Sequence, residues 1–264
     1  MKSHPKRHDA ANDKPQMKSR PGKSRLDVLI LERGLAPSRE KAQAMLLAGN
    51  VLVNGQKAEK PGTQIATDSQ IEIIGETLRY ASRGGLKLEG ALQDFGVSPL
   101  GKICLDVGSS TGGFTDCLLQ NGALRVYAVD VSADQLDYKL RKDPRVISIE
   151  RNARYLRADD VAEKPALVTM DVSFISVTKV LPSVVPVTAA GADFLILIKP
   201  QFELEKREVD KGGIVRDPQS HQKAIERVTA AAIELSLEVL GVRPSHLTGA
   251  EGNQEFFLHA RARG

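Results

Sequence analysis

Much that would point elsewhere is scarce in this 264-residue chain. Two cysteines, Cys104 and Cys117, are too few to staple a fold of this size. A reducing compartment, the cytoplasm, is therefore expected. Cys104 falls in a predicted strand and reads as a small core residue. No stretch approaches the roughly 20 apolar residues that span a bilayer, so no membrane partner is expected. The basic start has no apolar segment behind it, and so does not read as a secretory signal. The five histidines are scattered, which leaves no spacing for a metal cluster, and no metal cofactor is expected.

What is present fits a folded chain of one large domain or two unequal ones, with 41% apolar residues. Charge is uneven. Met1 to Arg25 holds eight Lys/Arg against two Asp, a net of +6, so with +4 overall the remainder carries −2. That tail, placed at 1–24, lacks large apolar residues and is expected to be disordered. It is either a solubilising tail or an arm that touches phosphates.

A small unit follows over 25–80. Leu26, Leu29 and Ile30 recur at helical spacing, and Gly34 follows as a C-cap. Ser38 can cap a second helix that carries Ala42, Met45 and Leu46 on one face and stops at Gly49. Val51 and Val53 alternate, Asn54-Gly55 signals a tight turn, and Ile71 and Ile73 form another short strand. Arg25, Arg39 and Lys41 lie near the helices. This order resembles the S-four (αL) RNA-binding domain of a small-subunit ribosomal protein and of pseudouridine synthases. The resemblance implies RNA contact through these three cations and Arg83. A helical cap that binds nothing is the plainer alternative.

Over 81–264 short apolar strands alternate with helices. Strands are expected at Ile103–Val107, Val126–Val129, Val146–Ile149, Leu167–Met170 and Phe194–Ile198. Helices are expected at Phe114–Gln120, Ala133–Arg141 and Ser220–Leu235, before two closing strands at Val239–Arg243 and Glu255–Ala260. The rhythm is that of a parallel, doubly wound α/β sheet, with the final pair suiting a Rossmann-like methyltransferase.

Leu105-Asp106-Val107-Gly108-Ser109-Ser110-Thr111-Gly112-Gly113-Phe114-Thr115 follows the first strand of this region. Dinucleotide enzymes want Gly-x-Gly-x-x-Gly here, and Ser110 replaces the middle glycine. The Asp-x-Gly-x-x-x-Gly-Gly form instead resembles the S-adenosylmethionine loop. That assigns Asp106, Gly108, Ser109, Gly112, Gly113 and Phe114 to the cofactor, although Phe114 could equally be a core aromatic. Asp130 ends the second strand, where an acid can accept from a ribose diol. Asn152 is placed for the adenine, at a position that is often Asp in FtsJ-like relatives.

Four charged residues stand out. Asp171 and Lys199 end apolar runs that read as buried parallel strands, and ligands of open α/β sheets bind outside such ends. Lys87 lies in Ser82-Arg83-Gly84-Gly85-Leu86-Lys87-Leu88, before the first strand, and Glu255 opens the last one. The set resembles the Lys-Asp-Lys-Glu tetrad of FtsJ-like ribose 2′-O-methyltransferases. With the N-terminal unit, the chain resembles the TlyA, or haemolysin A, family of rRNA methyltransferases.

The resemblance implies S-adenosylmethionine as cofactor and rRNA or ribosomal subunits as partners. Cytidine 2′-hydroxyls of 16S and 23S rRNA are the implied targets. Lys199 would stabilise a developing alkoxide and, once neutral, accept its proton. Asp171 would orient Lys199 and also border the cofactor, while Lys87 and Glu255 would position the ribose. Plain ion pairing at strand ends is the alternative. A base-directed methyltransferase would carry Asn-Pro-Pro-Tyr or a catalytic Cys where Asp171-Val172-Ser173-Phe174 stands. A binding protein without catalysis and a pore-forming haemolysin are the remaining rivals, the latter without an amphipathic cationic helix in the folded part. Lys206 to Pro218, with Gly212 and Gly213, is either a lid or plain surface loop.

Overall fold

The computed structural model describes residues 22–36, 38–47, 49–74, 79–210, 212–249 and 252–263. Nearly all of the basic tail lies outside them. The chain divides into two compact units, Met1–Thr77 and Leu78–Gly264.

The first unit comprises β1 (Lys23–Arg25), α1 (Leu26–Glu32), α2 (Arg39–Leu47), β2 (Val51–Val53), β3 (Gln56–Lys57), β4 (Gln64–Ala66) and β5 (Ile71–Ile73). Leu26, Ile30, Ala42, Leu46 and Val51 form its buried core. Gly34 ends α1 as anticipated. At φ +68° it lets its own N–H reach Leu31 O at 2.9 Å and that of Leu35 reach Ile30 O at 3.0 Å. Ser38 Oγ accepts from Lys41 N at 3.2 Å at the start of α2. Asn54 and Gly55, both at positive φ, close the β2–β3 hairpin, and β5 adds to β2 with Val51 opposite Ile73. The β1–β4 pair was not foreseen, and it brings Lys23 and Ser24 into the regular structure of this unit.

Buried Asp27 ties the two helices of this unit together. Its carboxylate accepts from Arg25 at 3.0 Å, Arg39 at 2.9 Å and Gln43 at 2.9 Å. The Arg25 guanidinium, with help from Gln43 and Arg39, holds the Asp27 carboxyl well below the usual carboxylate range. Two of the cations assigned to RNA thus have a structural role here.

The second unit opens with α3 (Gly84–Phe95), a helix not expected in the approach to the first strand. Leu88, Ala91 and Leu92 supply its buried stripe. Then follow β6 (Ile103–Val107), α4 (Gly113–Gln120), β7 (Arg125–Asp130), α5 (Tyr138–Lys142), β8 (Val146–Glu150), β9 (Leu167–Met170), α6 (Leu181–Val184) and β10 (Asp193–Ile198). The last elements are α7 (Pro200–Glu203), α8 (Pro218–Glu234), β11 (Leu237–Pro244) and β12 (Phe256–Ala262). Tyr80 packs in this unit's core, so the boundary falls before it rather than after residue 80.

One sheet of seven strands runs in the order β11-β12-β10-β9-β6-β7-β8. The five strands β10-β9-β6-β7-β8 are mutually parallel, and β12 runs antiparallel to both β10 and β11. Alternate residues of the central strands face opposite cores. Cys104, Val126, Leu195 and Leu197 meet α3 and α4, while Leu105, Val129, Ile196 and Ile198 meet the side covered by α6 and α8. Burial of both free thiols pushes them up to about 12, so neither is a reactive nucleophile at neutral pH.

Two expectations need correction. Ala133–Arg141 is not one helix. Buried Leu136 is extended between a 3-10 turn at Ala133–Gln135 and α5, which Asp137 caps by accepting from Lys139 N. Lys206 to Pro218 is not loop throughout either. It holds a 3-10 turn at Lys206–Glu208, and Pro218 already belongs to α8. Buried Asn253 pins the end of this loop, accepting from Val215 N at 2.8 Å and donating to Gly213 O at 2.9 Å.

Candidate active site

The sheet order reverses beside β6, between β9 and β7, and the crevice over their carboxyl ends is where such folds bind ligands. The segment Gly108–Gly113 crosses it. Gly108 has φ +84°, and a Cβ there would overlap the carbonyl oxygen of Asp171. A side chain would therefore be strained twice, by backbone conformation and by collision. Gly112, at φ +94°, is tight for a different reason: a Cβ would strike Leu136 and Leu140, away from the crevice. Packing alone therefore requires a glycine at this position. Gly113 sits against Ser82 and the backbone of Gly85.

Asp106 departs from its assignment. It is fully buried under the loop, where Thr115 Oγ1 donates to it at 2.6 Å and Thr169 Oγ1 at 3.0 Å. Burial pushes its carboxyl up to about 7, against the pull of the two threonines. It fastens β6, β9 and α4 beneath the crevice rather than lining it. Phe114 combines both readings offered for it. It is buried against Phe257, with centroids 6.1 Å apart, and its edge borders the crevice with Gly108, Ser109 and Gly113.

A cleft of about 520 Å³ extends from the loop past Asp130 and Asn152 to Asp171. Asp130 accepts from Ser110 N at 2.9 Å, and a carboxylate has capacity left for further donors. Asn152 Oδ1 accepts from Arg154 N, which leaves its amide N–H groups available. Val131, Ile175 and Val180 supply apolar walls. An acidic acceptor, a flat apolar slot and an amide are the groups a nucleoside needs.

The four charged residues meet on the same edge. Asp171 follows β9, and Lys199 follows β10. Because β12 is antiparallel, its first residues lie at the carboxyl edge, and Ile198 pairs with Phe256. Glu255 is thereby carried next to Lys199. Lys87 comes from the first turn of α3 and reaches Glu255 at 2.5 Å, with both side chains largely buried. Lys199 Nζ lies 2.6 Å from Asp171 Oδ1 and donates to Ser173 Oγ at 2.7 Å. The Asp171 contact is an ion pair off the hydrogen-bonding direction, so buried Oδ1 has no hydrogen-bond donor. Ion pairing at strand ends is therefore real. It does not account for why the Lys87–Glu255 pair and Lys199 line one cleft, joined to the nucleoside-shaped one through Ser173 and Phe174.

Phe174 was missed as a site residue. It is 92% exposed, has φ +63°, and its ring lies 5.3 Å from that of Phe202. An aromatic three residues past Asp171 was the available signal, since nothing in the strand pattern requires it. Of the RNA candidates, Arg83 is exposed at the crevice mouth and makes no ion pair among the described residues. Lys41 also makes no ion pair among the described residues, whereas Arg25 and Arg39 are bound to Asp27.

Residues 80–262 match the FtsJ-like methyltransferase model, and residues 24–71 match the S4 domain model. The chain is 49% identical to YqxC of Bacillus subtilis (strain 168), over 90% of this chain and 85% of that one. It is 42% identical to the 16S/23S rRNA (cytidine-2′-O)-methyltransferase TlyA of Mycobacterium tuberculosis (strain CDC 1551 / Oshkosh), over 90% of each. The chain belongs to the TlyA family of FtsJ-like methyltransferases. A solved structure from Streptococcus thermophilus that carries the hemolysin label superposes with TM-score 0.72 at 43% identity, over 93% of this chain and 90% of that one. The hemolysin label within the TlyA family has no counterpart in a span, because no helix among the described residues is long and apolar enough to cross a membrane.

Proposed function

We propose that this chain transfers a methyl group from S-adenosylmethionine to a ribose 2′-hydroxyl of rRNA, with cytidine in 16S or 23S rRNA as the target. The observation that carries this reading is the meeting of Lys87–Glu255 and Asp171–Lys199 beside a cleft shaped for a nucleoside. Gly108, Ser109, Gly113 and Phe114 would border the cofactor, Asp130 would accept from its ribose and Asn152 would face its base. When bound, the cofactor supplies a methyl group already activated on a sulfonium.

The chain's own work is then orientation and charge control. Lys199, once neutral, accepts the proton of the attacking hydroxyl, and as the resulting ammonium it stabilises negative charge on that oxygen. Asp171 keeps the ammonium at the strand end, and Ser173 holds it from the other side. The Lys87–Glu255 pair offers a donor and an acceptor for neighbouring ribose oxygens. Phe174 presents an open face on which a nucleobase can stack. The S4-type unit supplies RNA affinity.

Tritiated cofactor with ribosomal subunits from cells lacking the gene tests the reading. Label is expected in alkali-resistant dinucleotides, which report a 2′-O-methyl group. Label on a base would overturn it. Asp130→Ala is expected to weaken cofactor affinity roughly 10- to 100-fold by calorimetry, since hydrogen bonds to a charged group are each worth about 1.5–3 kcal/mol. Unchanged affinity would remove Asp130 from the cofactor site.

A further inference from the structure

A second groove opens on the far side of Phe174 and Phe202. Its walls carry Arg154, Lys179 and Arg227. All three are exposed, and none forms an ion pair with a carboxylate among the described residues. One acid, Glu205, lines the groove, and it is paired with Arg207 at 2.8 Å. Phe174, Gln201 and Phe202 line both this groove and the cleft that holds Lys199 and Glu255, so the two are continuous.

The cations stand on a fixed frame. Buried Glu203 accepts from Val177 N at 2.7 Å and from the Ser176 hydroxyl, which fastens the 3-10 turn ending in Lys179. Arg227 donates from α8 to the Glu203 carbonyl. The Glu203 carboxylate is occupied underneath and offsets only part of the surface charge. Three cations beside two tilted aromatic rings make a track for single-stranded nucleic acid, with phosphates along the charges and bases against the rings.

We infer that this groove carries the unpaired RNA strand adjoining the methylated nucleotide. Arg154, Lys179 and Arg227 meet its phosphates, and Phe202 stacks a base next to the target. The inference rests on the function proposed above and assigns that reaction its strand path. The occupant is RNA rather than an acidic peptide because the groove runs directly into the ribose-methylating cleft and its shared wall is aromatic.

The test uses the full chain with Arg154→Gln and Lys179→Ala together, which leaves the Arg227–Glu203 bond intact. Lys139→Ala with Lys142→Ala, on α5, removes the same charge elsewhere. The groove variant is expected to raise KM for ribosomal subunits about tenfold or more, with kcat unchanged. For a fluorescent single-stranded oligocytidylate, the slope of log Kd against log salt should fall by about 1.4, roughly 0.7 for each phosphate no longer neutralised. The α5 variant should match the parent in both. An unchanged KM and slope in the groove variant, or an equal loss in the α5 variant, would overturn the inference. A parent protein that methylates no rRNA would defeat the proposed function instead, and the oligonucleotide slope would then decide the groove by itself.

Discussion

Lys199→Ala is expected to lower methyl transfer by about four orders of magnitude or more while cofactor affinity stays nearly unchanged. Charge stabilisation of the attacking oxygen is worth about 10²–10³ in rate, and assistance to proton removal adds a comparable factor. Lys199 is held between Asp171 and Ser173, at the end of a strand whose six residues are all buried. Its loss therefore removes a fixed charge and not a mobile one. The fold should survive, because the side chain reaches into the cleft rather than the core. Lys199→Arg should not restore the rate, since a guanidinium is larger, planar and always charged. Single-turnover transfer of tritium to rRNA, with calorimetry of the cofactor, is the measurement. Parent-like transfer by Lys199→Ala would refute the mechanism.

Removing the first unit, Met1–Thr77, should cut kcat/KM on ribosomal subunits by about a hundredfold or more, because two tethered modules gain roughly 10²–10⁴ in avidity over one. Cofactor binding should persist. The second unit has its own sheet and two cores of its own, and needs nothing from the first to bury them. Equal modification of subunits by truncated and intact protein would show that the small unit is a cap.

Strands β6, β7, β9 and β10 were legible because each is a short apolar run buried on both faces. Ile103–Val107 and Leu167–Met170 coincide with the observed strands, residue for residue. Caps with distinctive chemistry were legible too: Gly34, Ser38, Gly49 and Asn54-Gly55 each do what their side chain, or lack of one, permits. Helix α3 was not legible because its Gly84-Gly85 start reads as loop and masks the stripe of Leu88, Ala91, Leu92 and Phe95. The positions of Asp171, Lys199 and Glu255 could be read from strand ends. That Asp106 and Gly112 face inward could not, since loop residues of the same motif differ only in which way the backbone turns them. Arg25 and Arg39 looked like free cations because their partner, Asp27, lies inside a helix and carries no pattern of its own.

The contact between Gly108 and the backbone of Asp171 has a consequence for inhibitor design. The loop that borders the nucleoside-shaped cleft and the strand end that carries Asp171 touch without a spacer, so they cannot shift independently. That cleft also shares Ser173 and Phe174 with the Lys199 cleft, so the two have a common wall. A single molecule that joins an adenosyl group to a cytidine through a short linker would meet a surface already arranged for both halves. Each half would then bind at the effective concentration set by the linker, with little ordering of protein to offset it.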